Sequence, residues 1–302
     1  MLPTAAPAAP ARLHLIDGTF ELYRAHFSPR PGHTDPGGRD RKATVGVVSS
    51  LLALLEDKAE ATTHLAVAFD HPIRSFRNDL FAGYKSDEGV PPELREQFGP
   101  VEQAVAALGV QVWSMDRWEA DDALGTAALR FADQVDQIRI MTPDKDLGQV
   151  VRGEQIVQVD RIRSAVLDEA AVRERRGVAP SSIPDLLALV GDSADGIPGL
   201  PGWGERSAAT VLARWGQLDD IPDDPAAWEV KVRGAPRLAE VLATRREEAR
   251  LYRRLATLVT DVPLHGTLED LRWRGVDRAA WTAWCAAVGA PRTLRERGLR
   301  HA

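Results

Sequence analysis

Aspartates and glutamates close one apolar run after another in this chain. Arg-Leu-His-Leu-Ile ends at Asp17, His-Leu-Ala-Val-Ala-Phe at Asp70, and Gln-Ile-Arg-Ile-Met-Thr-Pro at Asp144 with Asp146 two residues on. Trp-Glu-Ala-Asp-Asp adds Glu119, Asp121 and Asp122, and Gly-Asp-Ser-Ala-Asp-Gly adds Asp192 and Asp195. A β-rich run ending in a carboxylate puts it at the C-terminal edge of a strand, where ligands sit in parallel α/β sheets. Carboxylates gathered on one edge repel one another unless cations hold them. Oxygen donors without a histidine motif suit Mg²⁺ or Mn²⁺ rather than Zn²⁺. Two such ions are a common device for phosphodiester hydrolysis. Any one of these acids is more simply a turn residue or a helix cap. Their recurrence at the same end of successive βα units is what argues for a shared purpose.

Two further segments could hold a polyanion. In Gly199-Leu-Pro-Gly202-Trp203-Gly204-Glu-Arg206-Ser207, glycines precede a helix whose free N–H groups can face phosphate. This is the layout of a helix–hairpin–helix that grips a DNA backbone, and equally that of an ordinary turn. From Arg74 to Lys85, cations alternate with aromatics, through Arg77 and Tyr84. The pattern suits a single strand, with phosphates on cations and bases on rings. An amphipathic helix with buried Phe is the commoner outcome for such a segment.

Strands and helices must place these groups. Strands are predicted at 12–17, 64–70, 110–113, 137–142 and 155–160. Helices are predicted at 19–27, 43–59, 92–108 and 119–132, with a flexible Pro/Gly loop over 28–42. The alternation predicts an α/β class with a mainly parallel sheet flanked by helices. Beyond about residue 180 only helices are expected, at 186–190, at 205–215 and as one long amphipathic helix over 235–257. The predicted organisation is a disordered tail over 1–11, a core over 12–179 carrying an arch at about 72–95, a helix–hairpin–helix-type region over 180–262 and a helical extension over 263–302.

Bulk properties narrow the class. The 302 residues, 44% hydrophobic, can bury a sizeable core, and no apolar run is long enough to span a membrane. The single cysteine, Cys285, excludes an intramolecular disulfide and reads as core, which fits a reducing, cytoplasmic setting. The net charge of -6 argues against a generally basic nucleic-acid binder, but metal-binding carboxylates would account for much of it.

The chain resembles the bacterial 5′ nuclease (flap endonuclease-like) family, which includes the N-terminal domain of DNA polymerase I. The resemblance runs from about residue 12 to 263. It rests on Leu-Ile-Asp17-Gly, Leu-Tyr-Arg24-Ala, Phe-Asp70, Phe-Arg77-Asn-Asp-Leu-Phe, Tyr84-Lys85-Ser, Glu119-Ala-Asp121-Asp122, Asp144-Lys-Asp146, Gly-Asp192-Ser-Ala-Asp195-Gly-Ile-Pro-Gly and Gly202-Trp-Gly204-Glu-Arg-Ser-Ala. It implies a nuclease core with an arch, a helix–hairpin–helix variant, and metal-dependent cleavage near single-strand/double-strand junctions with 5′ ends. Asp17, Asp70, Glu119, Asp121 and Asp122 would hold one ion, and Asp144, Asp146, Asp192 and Asp195 a second or a looser third. Arg24 and Lys85 would contact the scissile phosphate, Tyr84 would stack on a terminal base, and Arg77 would also contact DNA. The hairpin at Gly199, Gly202, Trp203, Gly204, Arg206 and Ser207 would hold duplex, with K⁺ on its carbonyls, and the protein would act as a monomer. The chain departs from the family pattern in Asp87 and Glu88 after the Tyr-Lys-Ser motif, in Trp203 at the hairpin tip and in Gly196 where Asn is common. A junction-binding relative without turnover and a ribonuclease of related fold are the alternatives.

Overall fold

The computed structural model describes residues 11–302, so most of the expected N-terminal tail lies outside the described residues. Six strands form one sheet in the order β3-β2-β1-β4-β5-β6. They are β1 (Arg12–Asp17), β2 (His64–Asp70), β3 (Gln111–Met115), β4 (Gln137–Met141), β5 (Ile156–Asp160) and β6 (Ala165–Leu167). β1 pairs in parallel with both β2 and β4, and only the edge pair β5–β6 is antiparallel. The chain therefore turns to opposite sides after β1, which makes its C-terminal end a topological switch point. Both sheet faces are covered, which is why β2 is buried over its whole apolar length. β6 escapes sequence reading because it has only three residues and its middle one is exposed.

One face packs against α1 (Gly18–Phe27), α2 (Lys42–Glu56) and α5 (Phe98–Ala107), through Ile16, Val67 and Phe69. The other packs against α6 (Ala120–Phe131), through Leu13, Leu15, Ala66 and Ala68. β-Carbon alternation along β1 thus feeds two cores from one strand. α1 lies so close to β2 that a Cβ on Gly18 would stand 2.5 Å from the Phe69 ring, which fixes the helix start beside the sheet edge.

Several predicted elements are broken, each for a physical reason. The expected 92–108 helix is α4 (Pro92–Arg95) followed by α5. Pro100 has no N–H to give the Glu96 carbonyl, so α5 begins afresh with proline in its first turn, and Arg41 takes that carbonyl instead at 3.4 Å. The expected 235–257 helix is α10 (Ala235–Thr244) and α11 (Arg246–Ala256), parted at Arg245, φ -120°. There Arg246 reaches away to the carbonyls of Leu218 and Ile221. The 28–42 loop is tied rather than loose. Asp35, buried, accepts from Gly37 N, Arg39 N and Arg39 Nε, while His33 pairs with the Val288 carbonyl at 2.8 Å. The arch region holds only α3 (Arg77–Leu80) and α4, with non-helical chain between, so no long helix spans it.

After α7 (Glu169–Arg176) come α8 (Ile183–Val190), α9 (Glu205–Trp215), α10 and α11, which share one core. Tyr84 and Phe81 of the arch segment belong to that core, Phe81 edge-on to Tyr252. The extension α12 (Arg278–Ala287) and α13 (Arg292–Leu299) folds back on α2 and α5. Trp281 is fully buried, stacks on Trp284, and donates to the Arg295 carbonyl. Trp284 donates to the Pro100 carbonyl, and Cys285 is core as expected. No helix among the described residues is long and apolar enough to cross a membrane. Trp281→Ala removes a fully buried indole from this seam and is expected to cost about 3–5 kcal/mol in urea unfolding. A loss below about 1 kcal/mol would show that the extension is not part of the core.

Candidate metal and phosphate site

The carboxylates meet at the switch point, held there by local hydrogen bonds. Asp17 caps α1, accepting from Phe20 N at 2.8 Å and from the Thr142 hydroxyl at 3.0 Å. Asp70 accepts from Ala120 N at 2.7 Å, so the end of β2 is fastened to the start of α6. Asp144 caps the 3-10 turn after β4 by accepting from Asp146 N. Asp17, Asp70, Asp121 and Asp144 line one cleft of about 340 Å³ with Thr19, Phe20, Tyr23 and Lys85. Asp144, expected in the second group, thus stands in the first cleft. Asp146, Asp192 and Asp195 form the second group, with oxygens within 4.8 Å of one another.

Burial, followed by the Asp70 and Asp144 charges, pushes Asp17 up to about 7 from an ordinary 3.8. Burial lifts Asp70 to about 6, against the pull of Lys85. Burial and the Asp144 charge also raise Asp121 and Asp146. Asp146 Oδ1 is buried without a hydrogen-bond donor, an oxygen left over for a cation. An all-oxygen donor set of this kind fits a hard divalent ion.

Lys85 joins the groups, its ammonium 2.8 Å from Glu119 Oε2 and 3.0 Å from Asp195 Oδ1. Its backbone N–H donates to the Asp195 carbonyl. That approach explains Gly196, whose φ is +73° and whose added Cβ would stand 2.1 Å from the Gly83 carbonyl oxygen. The Asn common in the family would not fit here without moving the loop that carries Lys85.

Several expected site residues have other partners. Arg77 is 2% exposed and cannot reach DNA. It clasps both oxygens of Asp122 at 2.7 Å and donates to Glu119 and to the Leu255 and Thr257 carbonyls. Asp122 also accepts from Glu119 N and Val259 N, so it offers nothing to an ion. Glu119 accepts from Ser75, Arg77 and Tyr84 as well as Lys85. Burial opposes its charge, but Lys85 and Arg77 outweigh it and hold the carboxyl down to about 2. Tyr84 is buried, its hydroxyl on Glu119, with no free ring face for a base. Arg24 is paired with Glu21 and Ser50 and does not line the cleft with Lys85.

In the hairpin, Trp203 is buried against Trp228 and donates to the Leu238 carbonyl, so it is a core residue and not one that holds duplex. Gly199 is buried, packed on Val190 and Gly191. Gly202, Gly204, Arg206 and Ser207 do line an open groove of about 650 Å³. Lys231 and Arg233 form its far wall. Sequence reading missed them because they lie in a loop with no motif, and only the fold brings them opposite α9.

Two expectations follow from this geometry. Removing one partner of a buried ion pair strands the other, so Asp122→Ala should lose about 3–5 kcal/mol of stability in denaturant titration. A surface-like loss under 1 kcal/mol would contradict the buried clasp. The second concerns pH. Raised Asp17 and Asp70 mean that the folded chain holds protons that the unfolded chain releases. The stability they contribute is present below about 4 and is lost as pH rises through 6 to 7. A divalent ion competes with those protons, so the rise in Tm on adding Mg²⁺ should be larger at pH 8 than at pH 5.5. An equal or smaller rise at pH 8 would refute metal binding by these carboxylates.

Known proteins resemble this chain in sequence and fold. The family model for the 5′-3′ exonuclease N-terminal, resolvase-like domain matches residues 12–177, and that for the 5′-3′ exonuclease C-terminal SAM fold matches 178–279. DNA polymerase I of Bacillus caldotenax is 34% identical over 92% of this chain, which spans only 31% of that protein. The 5′-3′ exonuclease of Buchnera aphidicola is 33% identical, covering 85% of both chains. That of Aquifex aeolicus is 30% identical over 88% of both. Among solved structures, the T5 D15 protein co-crystallised with metal ions superposes with a TM-score of 0.63 at 15% identity, over 96% of this chain and 97% of that one. The catalytic core of Rad2 in complex with DNA substrate gives 0.63 at 14%, over 97% and 93%. At such identity these structures speak for the fold, and the exonuclease relatives speak for descent. The chain belongs to the 5′-3′ exonuclease family.

Proposed function

We propose that this protein is a structure-specific 5′ nuclease that hydrolyses DNA phosphodiesters at 5′ ends and 5′ flaps, with Mg²⁺ or Mn²⁺. The observation that carries this reading is the pairing of two carboxylate groups at one sheet edge, bridged by Lys85, with a buried Asp146 oxygen that accepts no hydrogen bond in the second. Asp17, Asp70, Asp121 and Asp144 would hold one ion, and Asp146, Asp192 and Asp195 the other. When bound, such ions supply an activated water near neutral pH and stabilise the departing oxygen. Lys85 places its ammonium over the phosphate and stabilises charge that builds there. Glu119, itself fixed by Ser75, Arg77 and Tyr84, keeps that ammonium charged and aimed.

The hairpin groove supplies a duplex hold through Arg206, Lys231, Arg233 and the free N–H groups that open α9. K⁺ on the hairpin carbonyls, action as a monomer and a cytoplasmic setting belong to the same reading. The relatives named 5′-3′ exonuclease, and a T5 flap endonuclease solved as a pseudo-enzyme-product complex with DNA and metal ions, support it.

A labelled 5′-flap duplex tests the proposal. Wild-type chain should cleave it near the junction with Mg²⁺ or Mn²⁺, and Asp146→Ala should not. Lys85→Ala should slow single-turnover cleavage by roughly 10²–10³-fold. Absence of wild-type cleavage with either metal, or full activity in Asp146→Ala, would sink it.

A further inference from the structure

The second carboxylate group carries a cation of its own. Lys145 lies between Asp144 and Asp146 on the 3-10 turn after β4. Its ammonium is paired closely with Asp192 and stands 3.8 Å from Asp146 Oδ1, the buried oxygen without a donor. It therefore sits among the same three acids whose oxygens lie within 4.8 Å of one another. A divalent ion placed there would need those oxygens and would meet a positive charge already in position.

Lys85 also touches this group, but it is fixed between Asp195 and Glu119. Among the described residues Lys145 forms ion pairs with Asp192 and Asp146, and its side chain is 30% exposed. Its flexible four-carbon stem allows the head to leave without backbone movement. A small cleft beside it is lined by Ile183 and Leu187, which can cover the stem, and by Glu205 and Arg176, whose charges offset one another. A displaced ammonium can swing out to solvent, to which the side chain is already partly open.

We propose that Lys145 is a tethered competitor for the second metal site: it neutralises Asp146 and Asp192 when no ion is bound, and a divalent ion enters only by displacing its ammonium. The inference rests on the reading that the carboxylates hold divalent ions. It adds that the second site is deliberately weak, so that its filling depends on ion concentration far more than that of the first. Both the lost pairing and the residual repulsion act in the same direction, against the ion.

The test is Mn²⁺ binding to the full chain without DNA, followed by the electron paramagnetic resonance signal of free Mn²⁺. Wild type should show a tighter and a weaker class of site, and Asp146→Asn should lose the weaker one. Lys145→Met keeps the stem and removes the charge. Its weaker class should tighten about tenfold, while its metal-free Tm falls as the acids lose their counter-charge. Lys145→Arg should bind like wild type. A Lys145→Met isotherm that superimposes on wild type, or shows weaker binding, overturns the proposal while leaving the metal reading intact. A wild-type chain that binds no Mn²⁺ overturns both.

Discussion

Repulsion among like charges is the constraint around which the rest of this molecule is arranged. The sheet delivers Asp17, Asp70, Asp121 and Asp144 to one cleft, with Asp146, Asp192 and Asp195 beside it. Burial makes each charge costlier, as the upward shifts of Asp17 and Asp70 record. The chain answers with fixed donors. Phe20 N, Thr142, Ala120 N and Asp146 N each hold one carboxylate, and Lys85 and Lys145 supply positive charge between them. The compensation is partial, and the remaining electrostatic cost is what a pair of divalent ions would relieve.

A division of labour runs through the acids that sequence alone cannot separate. Asp121 and Asp122 are neighbours at the start of α6, yet they do opposite things. Asp121 faces the cleft, while Asp122 points into protein and is closed off by Arg77 and two backbone N–H groups. Helical geometry turns adjacent residues about 100° apart, so one acid serves the ligand and the next serves the fold. Arg77 and Tyr84 look in sequence like a nucleic-acid surface, and both are interior. Their contribution to the site passes through Glu119, which they hold in place for Lys85.

The α/β class, five of the strands to within a residue or two, and the acids at their C-terminal ends were legible from period and composition. That legibility comes from the parallel sheet, whose buried strands read as unbroken apolar runs. What stayed hidden depended on contacts distant in sequence. Apart from the break at Gln97, which Pro100 makes locally, the order of the 28–42 loop needs Val288, and Trp203 is core rather than a DNA contact only because Trp228 and Leu238 cover it. Lys231 and Arg233 carried no local signal at all. The inward or outward sense of a cation is set by what lies across from it, which no window of sequence contains.

The clasp at Arg77 also bears on where this protein can be divided. The family descriptions part at residues 177 and 178. Arg77 and Tyr84 lie well before that point, yet Arg77 donates to carbonyls at Leu255 and Thr257, and Tyr84 is part of the core built by α8 to α11. A chain ended at the boundary would leave a guanidinium half unsatisfied and an aromatic core face bare. It would also free the segment that aims Lys85. The two units match separate family models, but Arg77 and Tyr84 join them physically, and the carboxylate site with Lys85 is complete in neither half alone.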